Sequence, residues 1–242
     1  MQVALLAAGL GSRLGALTER LPKALIEVAG QPLLSYAVRF AQAAGADEII
    51  VVGGFEFPLV ADLVARRQLP VTLVENRDFR DGNLISLYAA RPRLRPGAEL
   101  LIMNVDHIYR PAIAALAAQP AREVTAFIDH DRTLGDDDMK VERDADGRVR
   151  RIAKTLKDFD CGYVGMTKVP AAAAVRYWAE ADAALAADGR AIHVERVLAR
   201  LAAAGEAPAC RDISGHGWLE VDLPDERDRA EAALRGPGWS GV

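Results

Sequence analysis

The chain is poor in the residues from which covalent and metal frameworks are built. Its 242 residues include two cysteines, Cys161 and Cys210, and four histidines that stand apart from one another. A disulfide scaffold is thereby excluded, and so is a zinc site of the usual ligand spacing. Positive charge is not in excess either, since the formal net charge is -4. That balance offers no general attraction to nucleic acid or to an anionic membrane, so any phosphate ligand must be met by local cations. The opening apolar run "VALLAA" has no basic flank and soon reaches Gly9, too short for a secretory leader or a membrane span. These absences predict a cytoplasmic globular protein that acts on small molecules. The 51% hydrophobic content is enough for a full core.

What the chain does have is alternation. Short apolar runs, "VALLAA", "EIIVVGG", "VTLVEN" and "ELLIMNV", are separated by helical patterns such as "LLSYAVRFAQAAG", "LVADLVARRQ" and "NLISLYAARPRL". Strand, helix, strand in this order predicts parallel βαβ units with both faces of the sheet covered. After "EVTAFID" the character changes. Residues 131 to 160 are charged and rich in turns, with "VERDADGRVRRI" predicting a polar hairpin about Asp146 and Gly147 that serves as a lid or as the floor of a second substrate site. The chain then returns to the apolar strand "CGYVGMTKV", an alanine-rich helix over about 171–187, a further helix near "HVERVLARLAAAG", and a last strand-helix unit, "GWLEVDLPDERDRAEAAL". No repeat or linker divides it. The expectation is an α/β fold in a single domain over 1–242, a mostly parallel mixed sheet flanked by helices, with residues 235–242 as a frayed tail. The face "AAAAVRYWAEADAALAA" is expected in the core, with a homodimer surface as its alternative use.

The stretch "LLAAGLGSRLGALTERLPKAL", residues 5–25, carries the chemistry. A dinucleotide loop needs G-x-G-x-x-G; Gly9 and Gly11 fit, but Leu14 occupies the third position and the second strand does not end on an acid. A Walker loop needs a lysine directly after its last glycine, which is lacking here. What remains is a glycine turn leaving a buried strand, whose backbone N–H groups are open to close approach by phosphate. Arg13 lies in that loop. Lys23 follows Pro22, which fixes the local backbone and leaves the ammonium free to reach back across the loop. The alternative for each cation alone is a solvated surface charge.

"LAAGLGSRLGALTERLPKALIEVAGQPLL" closely resembles the signature of the nucleotidyltransferases that activate sugar phosphates and related phosphoesters. The similarity is greatest to the CTP:inositol-1-phosphate cytidylyltransferases, with the phosphocholine and phosphonate enzymes as near relatives. It continues through "VENRDFRDGNLISLYAARPRL", "MNVDHIY", "VRRIAKTLKDFDCGYVG" and "WLEVDLPDERDRAEAA". The resemblance implies a Rossmann-like nucleotidyltransferase fold of the GT-A type, with CTP as the favoured triphosphate and a small phosphorylated acceptor. It also implies roles. Leu6, Ala7, Ala8, Gly9, Gly11, Ser12, Arg13 and Lys23 would cradle the nucleotide, with Arg13 and Lys23 catalytic. Gly82 and Asn83 would meet the edge of the base, although Asn83 is equally suited to cap a helix.

Asp106 ends "LLIMNV" and Asp222 ends "GWLEV". If both strands belong to one parallel sheet, the two acids share a rim with the glycine loop and together suit one Mg²⁺, which takes oxygen ligands and completes its shell with phosphate and water. Plainer uses are a strand-end turn for Asp106 and a helix start for Asp222, which Pro224 follows. For the acceptor phosphate, the resemblance points to Lys140 and Lys154, which bracket the polar hairpin, and to Asp160, Gly162 and Glu195. Lys140 and Lys154 are otherwise ordinary surface lysines.

The predicted reaction is attack by an acceptor phosphate oxygen on the α-phosphorus of CTP with release of pyrophosphate, inositol-1-phosphate being the best acceptor. Phosphocholine, a phosphonate, or a sugar-1-phosphate paired with UTP, dTTP or GTP are the alternatives. A metal-dependent glycosyltransferase would share the acidic exit "NVD" but has no use for Arg13 and Lys23. A nucleotide-binding regulator without chemistry would be favoured by loss of a metal ligand or of the lysine, and both are in place.

Overall fold

The computed structural model describes residues 1–239. Strand β1 (Gln2–Ala7) leads through a 3-10 segment, Ser12–Thr18, to a small hairpin, β2 (Glu27–Val28) with β3 (Gln31–Pro32), and then to helix α1 (Leu33–Ala43). Next come β4 (Glu48–Gly53), α2 (Phe57–Arg67), β5 (Thr72–Glu75), α3 (Asn83–Ala90) and β6 (Leu100–Asn104). They are followed by β7 (His107–Tyr109), α4 (Pro111–Ala118), β8 (Thr125–Asp129), and the hairpin of β9 (Lys140–Arg143) and β10 (Val149–Ala153). The chain closes with β11 (Cys161–Val169), α5 (Ala174–Asp188), α6 (Glu195–Ala203), β12 (Ala209–Asp212), β13 (Trp218–Glu220) and α7 (Pro224–Leu234).

The main sheet has nine strands, in the order β10-β9-β11-β6-β1-β4-β5, with β8 joining β11 to β12. Pairing is parallel from β6 through β1 and β4 to β5. Strand β11 runs antiparallel to β6, β8 and β9, which makes the sheet mixed. The central strand is apolar on both faces because helices cover both. Side chains alternate along it: Val3, Leu5 and Ala7 enter the core under α1, α2 and α4, while Ala4 and Leu6 enter the core under α3, α5 and α6. None of the helices among the described residues is long and apolar enough to cross a membrane.

Strand β13 departs from the expected arrangement. It lies outside the main sheet and forms a two-stranded antiparallel ribbon with β7, pairing Leu219 with Ile108 and Glu220 with His107. Asp222 therefore reaches the rim by another route than a shared parallel sheet. The turn after β6 continues directly into β7, and the Val221 amide donates to the Asp106 carbonyl at 3.0 Å. One three-residue ribbon thus brings two acids, 116 positions apart in sequence, side by side.

A third apolar cluster lies under the glycine loop. Leu14, Ile26, Val28, Leu33, Tyr36, Ile108, Val221, Ala230 and Trp239 pack together there. Leu14 is 1% exposed, so the residue that breaks the dinucleotide motif pins the loop to the core. The tail was expected to fray from residue 235, yet Trp239 is buried beneath the Arg110 guanidinium, 4.7 Å from its ring centre. An indole can bury more apolar surface against this cluster than terminal fraying releases in entropy. Residues 240–242 of the predicted tail lie outside the described residues. Trp239→Ala is expected to cost about 3 kcal/mol in denaturant unfolding, as truncation of a buried aromatic does.

Candidate active site

A cavity of about 700 Å³ opens at the carboxyl ends of β1 and β6. It gathers thirteen of the residues singled out in the sequence: Leu6, Ala8, Gly9, Gly11, Ser12, Arg13, Lys23, Asn83, Asp106, Lys154, Gly162, Glu195 and Asp222. The loop is shaped by Gly11, whose φ of +64° favours glycine, and by the Thr18 hydroxyl, which donates to the Gly11 carbonyl at 2.7 Å. A Cβ on Gly11 would stand 3.0 Å from Lys23 Cβ, so the lysine stem lies directly against the loop.

Lys23 is buried, and its Nζ sits 2.6 Å from Asp106 Oδ2 while also donating to Asp222 Oδ1. Arg13 takes the other oxygen of Asp222 and reaches Asp137 at 3.4 Å. Burial works against the charge on Lys23, but Asp106 and Asp222 outweigh it and hold the ammonium above its ordinary pKa. Burial likewise opposes ionisation of Asp106, and Lys23 with His107 reverses it, leaving the carboxylate well below the usual range. Asp106 Oδ1 is buried without a hydrogen-bond partner; His107 Nδ1 is 2.8 Å away, close enough for charge attraction but out of hydrogen-bonding geometry.

Four predicted residues stand outside the cavity, each for a definite reason. Ala7 points to the opposite face of β1, as the alternation of that strand requires. Gly82 has both backbone groups committed: its N–H donates to the Arg190 carbonyl at 3.0 Å and its carbonyl accepts from Ile85 at 3.0 Å. A Cβ there would fall 1.7 Å from the Ile192 carbonyl oxygen, so the glycine admits the segment before α6. Lys140 is buried, donating to the carbonyls of Gly135, Lys154 and Asp138 at 2.5, 2.9 and 3.3 Å, and thereby anchors the loop over residues 130–139. Asp160 turns to the backbone of β9, where its Oδ2 accepts from the Arg143 amide at 2.6 Å.

Two predicted residues gain detail. Asn83 is the first residue of α3 behind the extended Gly82, and its Oδ1 accepts from the Val194 amide at 2.8 Å. Its Nδ2 is the end left for a ligand. Glu195, the first residue of α6, is buried with Oε2 unpartnered; burial raises its pKa against the opposing pull of His193 and Lys154. The hairpin expected as a lid or floor does not line the cavity. Leu134, Gly135, Asp136, Asp137, Asp138 and Met139 form a cavity wall, while the hairpin of β9 and β10 stands behind it.

Residues that the sequence reading passed over also line the cavity. His107 stacks on Tyr109 and lies tilted against Trp218, with ring centres 5.8 and 5.2 Å away. Gly165, at φ +68°, makes room for it, since a Cβ there would meet His107 Cε1 at 2.7 Å. Its position directly after Asp106 was the available signal. Arg132 lies 5.1 Å from the Trp218 ring centre and pairs with Glu220 and, at 3.4 Å, with Glu226. No local pattern announces that network, because its members come from distant segments.

Residues 3–204 match the model of the MobA-like NTP transferase domain. The chain belongs to the MobA-like NTP transferase family. Among its curated relatives is a bifunctional IPC transferase and DIPP synthase from Rubrobacter xylanophilus, 33% identical over 98% of this chain and 53% of that protein. The chain spans about half the length of the bifunctional relatives it matches. Two solved structures share the fold: the inositol-1-phosphate CTP transferase from T. maritima, with TM-score 0.80, 17% identity and coverage of 97% and 96% of the two chains, and the CTP:phosphocholine cytidylyltransferase from Streptococcus pneumoniae, with TM-score 0.75, 23% identity and coverage of 96% and 98%.

Gly82→Ala is expected to displace the segment before α6 and cost about 2–3 kcal/mol of stability, as overpacking against backbone does. Denaturant unfolding checks this. A variant as stable as the wild type would contradict the close approach seen here.

Proposed function

We propose that this transferase moves CMP from CTP to a small phosphorylated acceptor, inositol-1-phosphate by preference, and releases pyrophosphate. The observation that carries the reading is the meeting of the glycine loop, Arg13, Lys23, Asp106 and Asp222 on one cavity wall. CTP is supported by the relatives whose names specify it. With Oδ1 committed to Val194, the Asn83 Nδ2 offers a donor to the O2 acceptor of a pyrimidine.

An acceptor phosphate oxygen attacks the α-phosphorus in line. The P–O bond to the β-phosphate breaks, and the electron pair leaves with pyrophosphate. The nucleophile is already anionic, so no general base is required, and catalysis is positioning plus charge neutralisation. Arg13 and Lys23 stabilise the charge that develops on the leaving group. In the same cavity, Lys154 meets the acceptor phosphate and Glu195 Oε2 is the group left to bind its remaining polar substituents.

The residues fit Mg²⁺: two carboxylates, one with an unpartnered buried oxygen, offer the hard ligands it prefers. Asp106 and Asp222 would hold it, and when bound it would neutralise the α-phosphate toward the incoming anion. A cytoplasmic setting belongs to the same reading and is supported by the free thiols of Cys161 and Cys210.

Pyrophosphate release, measured with each triphosphate against inositol-1-phosphate, phosphocholine, aminoethylphosphonate and glucose-1-phosphate, tests the proposal. CTP with inositol-1-phosphate is expected to be the fastest pair. Release with sugar phosphates alone would displace the inositol assignment, and no release with any pair would favour a regulator. Lys23→Ala and Arg13→Ala should each lower kcat by about two to three orders of magnitude, roughly 3–4 kcal/mol of transition-state stabilisation. Near-normal turnover in Lys23→Ala would remove that residue from the chemistry.

A further inference from the structure

We infer that Lys23 is a stand-in for the divalent cation: its ammonium occupies the shared charge site of Asp106 and Asp222 until a triphosphate draws it away. The inference rests on the transferase reading above and adds an order of events to it. Asp106, Lys23, Asp222 and Arg13 form one chain of ion pairs that ends on the exposed Asp137, so the two carboxylates inside the cavity are already matched by two cations. A bare divalent cation entering it would add two positive charges beside a buried ammonium. Lys23 is 7% exposed, so a metal ion reaching the two acids would meet its ammonium at close quarters. The protein also offers few ligands. Among the described residues no group of three or more His, Cys, Asp or Glu side chains is arranged to hold a metal ion, whereas Mg²⁺ prefers six oxygens.

A triphosphate changes both conditions at once. It supplies several anionic oxygens, which offer Arg13 and Lys23 new partners and offer the metal new ligands. The lysine stem lies against Gly11 and lines the same cavity as the loop, so rotation about its distal bonds turns Nζ from the acids toward phosphate on the loop. Release of the two carboxylates then creates the metal site. Metal and nucleotide binding are therefore positively coupled, and the coupling is reciprocal.

Direct metal binding tests this without turnover. Mn²⁺ titrated into the nucleotide-free protein, with free Mn²⁺ read by EPR, is expected to bind weakly to the wild type and at least about tenfold more tightly to Lys23→Met, within the usual range of coupling between sites. Adding Asp106→Asn to Lys23→Met should abolish the gain. Equal affinity of wild type and Lys23→Met for Mn²⁺ would overturn the inference. A second readout requires no variant: the ¹⁵N-labelled Lys23 ammonium, followed by NMR, should hold its shift when Mg²⁺ is added alone and move when Mg²⁺ arrives with α,β-methylene-CTP. Movement with Mg²⁺ alone, at the same midpoint as with the nucleotide, would also overturn it. Failure of pyrophosphate release would sink the transferase reading, whereas the Mn²⁺ and NMR results decide the exchange separately.

Discussion

A buried ammonium between two carboxylates is the interaction about which this site is arranged. Lys23 comes from the end of the glycine loop, Asp106 from the exit of β6, and Asp222 from the segment between β13 and α7. Each arrives by a different device. Gly11 lets the lysine stem lie against the loop, the ribbon of β7 and β13 draws Asp222 beside Asp106, and Leu14 ties the loop to the cluster that also holds Val221 and Trp239. Buried ion pairs of this kind contribute little net stability, yet removing one partner costs roughly 3–5 kcal/mol because a charge is left behind. An arrangement costly to disturb and of little benefit to folding is understandable when the same charges are needed for a ligand.

Much of the frame was legible because it depends on local pattern. The buried runs, the helices between them and the glycine turn follow from periodicity and from what glycine permits. Asp106 was legible for the same reason, as an acid at the end of an apolar run. Asp222 was reached by a partly mistaken route: its strand pairs with β7 and not with the main sheet, and a three-residue ribbon leaves no periodic trace. Gly82, Lys140 and Asp160 fall in segments that do border the cavity, but each is occupied by a neighbour that only the folded chain supplies. His107 and Arg132 were missed because their partners, Glu220, Glu226 and Trp218, lie about 90 to 110 positions away. Long-range pairing is what a single sequence conceals.

The two sides of the cavity differ in how firmly they are built. The side that we propose for the nucleotide is made from the central strand and a loop anchored in the core. The opposite side, which we propose for the acceptor, is made from the wall at 134–139 and the segment before α6, held by Lys140 on one flank and by Arg190, paired with Asp78 and Asp81, on the other. These tethers bond mainly to backbone carbonyls or lie at the surface, so residues along the wall can change with little effect on the core.

The central claim is that Arg13 and Lys23 are phosphate ligands held in reserve on Asp106 and Asp222. A crystal structure with Mg²⁺ and α,β-methylene-CTP tests it most directly. The account predicts Lys23 Nζ and the Arg13 guanidinium on phosphate oxygens, with both carboxylates turned to the metal. Lys23 still bound to Asp106 and Asp222 beneath a fully seated nucleotide would contradict it.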